Sequence, residues 1–214
     1  MNASLGVRIP AGPVQLEGEL DVPDRPTGVV AFAHGSGSGR HSPRNRLVAR
    51  VLHDAGLATL LLDLLTAAED AVLENRFDIG LLSGRLEHAV TFLREHPVAA
   101  TLPLGLFGAS TGAASALRVA AHDPGTIRAV VSRGGRPDLA GADALAQVRA
   151  PTLLIVGGRD AGVIELNESA RDRMTRCHCE LSIVPGATHL FEEPGKLDAV
   201  AKVATDWFVR WLRA

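Results

Sequence analysis

Leu104-Gly105-Leu106-Phe107-Gly108-Ala109-Ser110-Thr111-Gly112-Ala113-Ala114 decides the fold. An apolar run enters Gly-Ala-Ser-Thr-Gly, and a stretch rich in Ala and Leu leaves it. This is G-x-S-x-G in the context that gives it meaning, with a strand before and a helix after. The turn must be very tight, because strand and helix pack together around Ser110. Gly108 and Gly112 omit the side chains that would clash there. Ser110 is then expected in a strained backbone conformation, its hydroxyl raised above the sheet. The helix start behind it offers unpaired N–H groups and a positive dipole end, which suit a developing oxyanion. A bare G-x-S-x-G also occurs as an ordinary Gly/Ser turn, so the rest of the chain must decide.

Outward from this stretch, short apolar runs alternate with helical patterns. Toward the N-terminus, Val29–Ala33 is an unbroken apolar run of the kind buried on both sheet faces, and Leu57–Asp63 reads as another buried strand. Between them a helix from Pro43 to Ala55 is expected, with Ser42 as its cap and Gly56 as its stop. Residues 5–9 and 14–22 alternate like an antiparallel hairpin across Pro10–Pro13. The acidic stretch 64–76 reads as a loop, followed by a helix over 77–95. Toward the C-terminus come a helix over 111–122, a strand from Ile127 to Val131 and a short helix over 138–148. A strand from Pro151 to Val156, a helix over 163–174, a strand over 179–184 and a last helix over 196–212 complete the pattern. This predicts a single α/β domain over 1–214. Its sheet is about eight-stranded and mainly parallel, with an N-terminal antiparallel hairpin and helices on both faces. Ligands in such sheets bind at the carboxyl ends of the strands.

Composition narrows the function. The 214 residues carry a net charge of −2 without a long basic run, which argues against nucleic acid and anionic membrane surfaces. Tyr is absent and aromatics make up only 4%, a poor basis for base stacking. Met1–Gly6 has neither a basic region nor an apolar segment, so a signal peptide is not expected. Cys177, His178 and Cys179 lie at alternating positions of an expected strand. Their side chains would diverge rather than meet on one ion, and the thiols read as buried in a reducing cytosol. A cytoplasmic location and no metal follow as expectations. Heavy use of Ala, Leu, Arg and Gly points to a high-GC bacterial source.

Ser110 needs a base, and the base needs an acid to hold its tautomer and stabilise its cation. His189 follows the last strand and a Pro-Gly turn. Asp160 ends the preceding strand after Gly157-Gly158. The plainer alternatives are a helix cap for Asp160 and a polar loop position for His189. The order Ser110, Asp160, His189 is nevertheless that of α/β-hydrolases, with room for a βαβ unit before the acid and a helix and strand before the base.

With these residues in place, the chain resembles the α/β-hydrolases, and among them the dienelactone hydrolase family. Four motifs carry the resemblance: H-G-S-G-S-G at 34–39, G-A-S-T-G at 108–112, G-G-R-D at 157–160 and G-A-T-H at 186–189. It covers nearly all of the chain from Val14 onward. It implies the α/β-hydrolase fold and a Ser110–His189–Asp160 triad, with no cofactor. Dienelactone hydrolases proper use cysteine as nucleophile. Serine in its place shifts the expectation from lactones toward ordinary carboxylic esters, with a lactone hydrolase as the alternative within the class and a non-catalytic small-molecule-binding module outside it.

The oxyanion hole is expected from the N–H groups of Thr111 and Ser36, with His34 bracing the loop. As a phosphate cradle, Gly35-x-Gly37-x-Gly39 lacks the following Lys-Ser/Thr. Arg40, Arg133 and Arg136 lie on loops at the same sheet edge. They are candidates to bind a substrate carboxylate, as basic residues do in the resembled family, or to pair with nearby acids. Only about twenty residues separate the strand ending near Val131 from the next, too few for a lid. The expected protein is an open-sited serine esterase, monomer or homodimer, whose partner is a small ester or lactone.

Overall fold

The computed structural model describes residues 3–213. Met1 and Asn2, which begin the stretch read for a signal peptide, and Ala214 lie outside them. The strands are β1 (Ala3–Ala11), β2 (Val14–Val22), β3 (Gly28–Ala33), β4 (Leu57–Leu62), β5 (Leu104–Ala109), β6 (Ile127–Arg133), β7 (Thr152–Gly157) and β8 (Cys179–Val184). They form one eight-stranded sheet in the order β1-β2-β4-β3-β5-β6-β7-β8. β1 and β2 are antiparallel, as are β2 and β4, and the remaining pairs are parallel. The hairpin turns tightly at Gly12-Pro13, so Ala11 pairs with Val14; β1 runs longer than the expected 5–9, while β2 keeps the expected 14–22.

The helices are α1 (Pro43–Asp54), α2 (Ala67–Asp70), α3 (Ile79–Glu95), α4 (Thr111–His122), α5 (Ala142–Gln147), α6 (Ala161–Arg173) and α7 (Lys196–Trp211). Ser42 caps α1 by accepting the Asn45 N–H, and Pro43 opens it without wasting an N–H. Asp78 does the same for α3, accepting from Leu81 at 2.9 Å.

The apolar strands β3, β4, β5 and β7 are buried along their full length because helices cover both faces. On one face Leu106 and Val130 pack with Leu86 and Leu93 of α3 and Leu117 of α4. On the other, Phe107, Val131 and Ile155 pack with Val48 and Leu52 of α1 and with Val200, Ala204 and Phe208 of α7. Phe32 and Phe107 meet on this second face at 4.8 Å between ring centroids. Gly105 leaves the space that the Phe208 ring fills; a Cβ there would stand 2.7 Å from its edge.

Two expectations are corrected. The stretch 64–76 is not a loop: it holds α2 and a 3₁₀ turn over Leu73–Phe77. The span 138–148 divides into a 3₁₀ turn at Pro137–Ala140 and α5, split by Gly141 at φ 89°. These two short pieces are all that lie between β6 and β7, so there is no lid.

Candidate active site

The elbow is built by omission. A Cβ on Gly108 would run into the Cα of Ala113, and one on Gly112 into the carbonyl oxygens of Ala33 and His34. Strand, helix and the loop after β3 therefore touch backbone to backbone around Ser110. Ser110 takes up the strain, with φ 51° and ψ −121°. Among the described residues only Phe191, at φ 57°, shares a positive φ without being glycine. An L-residue held there costs about 1–3 kcal/mol, which the surrounding contacts must offset. Ser110 occupies the cap position of α4, yet its hydroxyl makes no capping bond. Its N–H donates to the Arg133 carbonyl at 3.2 Å, and its own carbonyl accepts from Arg136 at 3.1 Å. The backbone is tied down and the hydroxyl is left unengaged.

Asp160 and His189 meet. His189 Nδ1 lies 2.6 Å from Asp160 Oδ2. Asp160 stands at the cap position of α6, but its side chain caps nothing and turns to the imidazole instead. The loop carrying His189 is pinned against the end of β7. Arg159 N–H donates to Ala187 O at 2.9 Å, and Gly158 N–H to Val184 O at 2.9 Å. A Cβ on Gly157 would come within 2.5 Å of the Ala187 and Thr188 carbonyls. Beyond the histidine, Glu193 accepts the Thr188 N–H on both carboxylate oxygens, at 3.0 and 3.2 Å. The turn at Gly134 joins the two halves: it follows Arg133, whose carbonyl holds Ser110, and a Cβ on it would sit 3.5 Å from His189 Cε1.

The expected oxyanion loop is braced by His34. Its Nε2 accepts the Leu64 N–H at 2.9 Å, so Nδ1 must carry the proton that goes to Gly35 O, also at 2.9 Å. Burial pushes the pKa of this ring below its ordinary value, and the neutral form is the one both partners need. Ser36 is placed differently from expectation. Its N–H is not free but donates to Thr111 Oγ1 at 3.0 Å. The threonine hydroxyl thus occupies one of the two expected oxyanion donors.

The three arginines separate. Arg40 is clasped by Asp63 and Glu17, and its N–H donates to Asp63 Oδ1 at 2.7 Å. Arg136 forms a two-point contact with Asp138 at 2.9 and 2.7 Å. Both follow the plainer of the two expectations, with their charges met by acids of the chain rather than left open to a ligand. Arg133 does not. It is 6% exposed, and among the described residues the one hydrogen bond of its guanidinium is Nη2 to Asn45 Oδ1 at 3.3 Å. Its Nε and that of Arg44 are both buried without a partner. Burial, with the Arg44 charge nearby, lowers its guanidinium to about 10, and it stays a cation at neutral pH. Arg44 itself pairs with Glu192 at 3.0 Å.

The Cys-His-Cys triplet plays no part here. Both thiols lie against Met174, while His178 stacks on Trp207 at 5.8 Å. Burial pushes the Cys179 thiol up to about 12. Cys177 precedes β8 rather than lying in it. Among the described residues no group of three or more His, Cys, Asp or Glu is placed to hold a metal ion, and no helix is long and apolar enough to cross a membrane.

A profile of the dienelactone hydrolase family matches residues 45–213. The chain belongs to the dienelactone hydrolase family. It is 53% identical to a dienelactone hydrolase from Anabaena variabilis of known crystal structure, with a TM-score of 0.95 and 99% of each chain covered. Est1E from Butyrivibrio proteoclasticus (16% identity, TM-score 0.83, covering 98% of this chain and 99% of that one) shares the fold. So does a lidless α/β serine hydrolase from Xanthomonas campestris (23%, 0.79, covering 99% and 96%). Two Mycobacterium tuberculosis proteins, provisionally named phosphoribosyl transferases, are 59% identical over 203 residues, which cover 95% of this chain and 45% of theirs. The chain thus spans less than half the length of these curated relatives.

For this dienelactone hydrolase relative, several supporting residues were not readable as such. Asn167 is fully buried and donates to Gly135 O at 3.0 Å, fixing the turn beside the site. Phe191, buried and in a left-handed conformation, shapes the loop after His189. No local pattern announces an aromatic at positive φ. In the sequence, the paired glycines 134 and 135 are the local sign of the turn they form.

Proposed function

We propose that the chain is a serine hydrolase of small carboxylic esters, with Ser110 as nucleophile, His189 as base and Asp160 as its orienting acid. The observation that carries this is a strained, unengaged Ser110 at the strand–helix elbow, on the same sheet edge as a His189–Asp160 pair at 2.6 Å. With Nδ1 committed to Asp160, Nε2 is the nitrogen left to take the Ser110 proton as Oγ attacks the acyl carbonyl. The tetrahedral oxygen is held by the Thr111 N–H and, once the Thr111 hydroxyl rotates away, by the Ser36 N–H. Exchanging a neutral hydroxyl for an oxyanion strengthens that second bond, so the swap favours the transition state over the resting site. His189 then protonates the leaving alcohol, and water releases the acyl group by the reverse steps.

Of the three arginines, Arg133 is the one whose charge no acid of the chain neutralises. We assign it to an acidic group on the alcohol side of the ester, since it lies on the strand next to Ser110 in the direction of His189. The two unpaired cysteines support activity in a reducing cytoplasm, and the chain is proposed to act as a monomer or homodimer. Lactones are the alternative substrates. The transferase name belongs to relatives more than twice the matched length and supports no separate reading of these residues.

The test is hydrolysis of aryl acetate and aryl octanoate by wild type and Ser110→Ala. Wild type turns over the acetate faster, because nothing covers a long chain, and the variant loses at least 10³-fold on both. A wild type that binds an ester analogue without turnover would make the chain a binding module instead.

A further inference from the structure

The loop after β3 has two sides. One meets the nucleophile: a Cβ on Gly35 would stand 3.0 Å from Ser110 Cβ, and the Ser36 N–H donates to the Thr111 hydroxyl. The other, from His34 to Gly37, faces a cleft too narrow for a water molecule. Leu65 and Leu82 line its buried part and are 6% and 2% exposed. Asp70 and Arg76 line its outer part, with side chains 39% and 31% exposed. The cleft therefore has an apolar floor under an ionic rim.

The rim is tied down. Thr66 and Glu69 form a reciprocal capping box at 3.2 and 2.9 Å, and the buried Arg85 donates to Glu69 at 2.5 Å. Asp70, the last residue of α2, belongs to that frame. Arg76 holds it at two points: Nε donates to the Asp70 carbonyl at 2.8 Å and Nη2 to its carboxylate at 3.0 Å. In this position Nη1 reaches the loop, 3.9 Å from where a Cβ on Gly37 would be. The guanidinium and the loop thus close on each other. In the sheet order β3 and β4 lie on one side of β5, and β8, which leads to His189, lies on the other. A leaving oxygen must lie beside the group that protonates it. The alcohol half of an ester on Ser110 therefore lies toward His189, and the acyl half points the other way, toward the loop after β3 and this cleft.

We propose that Arg76, held by Asp70, shuts this acyl cleft and so restricts the substrates to short acyl groups. This rests on the hydrolase function proposed above and names the residue that sets its acyl length. The stem of Arg76 is itself an aliphatic chain, so it fills room that an acyl chain would take. With the rim shut, Leu65 and Leu82 are out of reach, and a longer chain removes no apolar area from water by lying there. An acetyl group needs no such contact and loses nothing.

The test compares wild type with Arg76→Ala and Arg76→Lys on 4-nitrophenyl hexanoate and acetate. Arg76→Ala empties the rim and opens the way to Leu65 and Leu82. The hexanoate-to-acetate ratio of kcat/KM is expected to rise about ten-fold, the effect of burying about two methylenes. Arg76→Lys keeps a charge for the Asp70 carboxylate but has no second arm for its carbonyl, so the ratio is expected to rise by less. A ratio unmoved in both variants, with acetate still cleaved, overturns the gate and leaves the esterase standing. So does a ratio that falls in Arg76→Ala, which would make the arginine stem itself the acyl surface. Melting curves run in parallel identify a variant that has lost its fold; if Arg76→Ala has, Arg76→Lys decides alone, and an unmoved ratio there overturns the gate. A wild type inert on both esters overturns the hydrolase and the gate together.

Discussion

At the scale of single residues, the site depends on side chains whose hydrogen-bond partners permit only one state. Ser110 is strained because the elbow's glycines bring backbone too close for any relaxed alternative. His34 is neutral because Leu64 offers it an N–H and Gly35 offers it a carbonyl. A second proton would face the Leu64 N–H head on. This has a pH signature. In the unfolded chain the ring titrates near its ordinary value, about 6.5, and in the fold it titrates lower. Above pH 6.5 neither state is protonated and the full stability is present. As pH falls below that, the unfolded chain takes up a proton that the fold refuses. Stability then drops by up to about 1.4 kcal/mol per pH unit until the folded pKa is reached. Urea unfolding at pH 7.5, 6.0 and 5.0 measures it. His34→Asn is expected to be less stable than wild type at pH 7.5 but to lose less on acidification. Parallel slopes would assign the acid sensitivity to other groups.

At the scale of elements, glycines carry opposite consequences according to what surrounds them. Gly112, in the first turn of α4, has the Ala33 and His34 carbonyls where its Cβ would be, and backbone cannot step aside as a side chain can. Gly84, in the middle of α3, has open space there. Gly112→Ala is expected to cost about 3 kcal/mol or more and lower the melting temperature by roughly 6–12 °C. Gly84→Ala is expected to gain about 0.5–1 kcal/mol from helix propensity alone. Thermal melts of the pair check both signs, and a tolerant Gly112→Ala would mean the elbow is looser than its contacts. The same scale shows what was legible in the sequence. Ser110, Asp160 and His189 each lie in a short motif at a strand end, where local chemistry and topology agree, so all three are legible in the sequence as candidates. The segment 64–76 could not be read as more than a loop. Its helical pieces last about one turn each, too short for a hydrophobic period, and the side-chain bonds that make them come from Thr66, Glu69 and the distant Arg85. Of the three arginines, only the fate of Arg136 was local, with Asp138 two residues on. Arg40 is claimed by Glu17 of β2 and by Asp63 just past β4, and the lack of any claimant for Arg133 is a property of the folded neighbourhood.

At the scale of the whole molecule, that lack of a claimant sets stability against function. The protein carries 22 basic and 24 acidic side chains, so acids are not scarce, yet among the described residues none is paired with Arg133. A guanidinium taken out of water without a counter-charge costs the fold free energy that neighbouring hydrogen bonds only partly return. Here they return little: one bond of 3.3 Å to Asn45, with Nε unsatisfied and Arg44 adding repulsion. If the residue served packing, an aliphatic side chain of the same length would serve better. Arg133→Met is therefore expected to raise the unfolding free energy by about 1–2 kcal/mol, moving the melting temperature up by roughly 2–8 °C. The same change is expected to remove the preference for an acid on the alcohol side. The ratio of kcat/KM for 4-acetoxybenzoate over phenyl acetate should fall about ten-fold, through the interaction an ionised acceptor makes with a guanidinium. The two measurements must move in opposite directions. A variant that is less stable and keeps the ratio would make Arg133 a structural residue whose partner is solvent, and the alcohol side of the substrate would then carry no charge for the site to find.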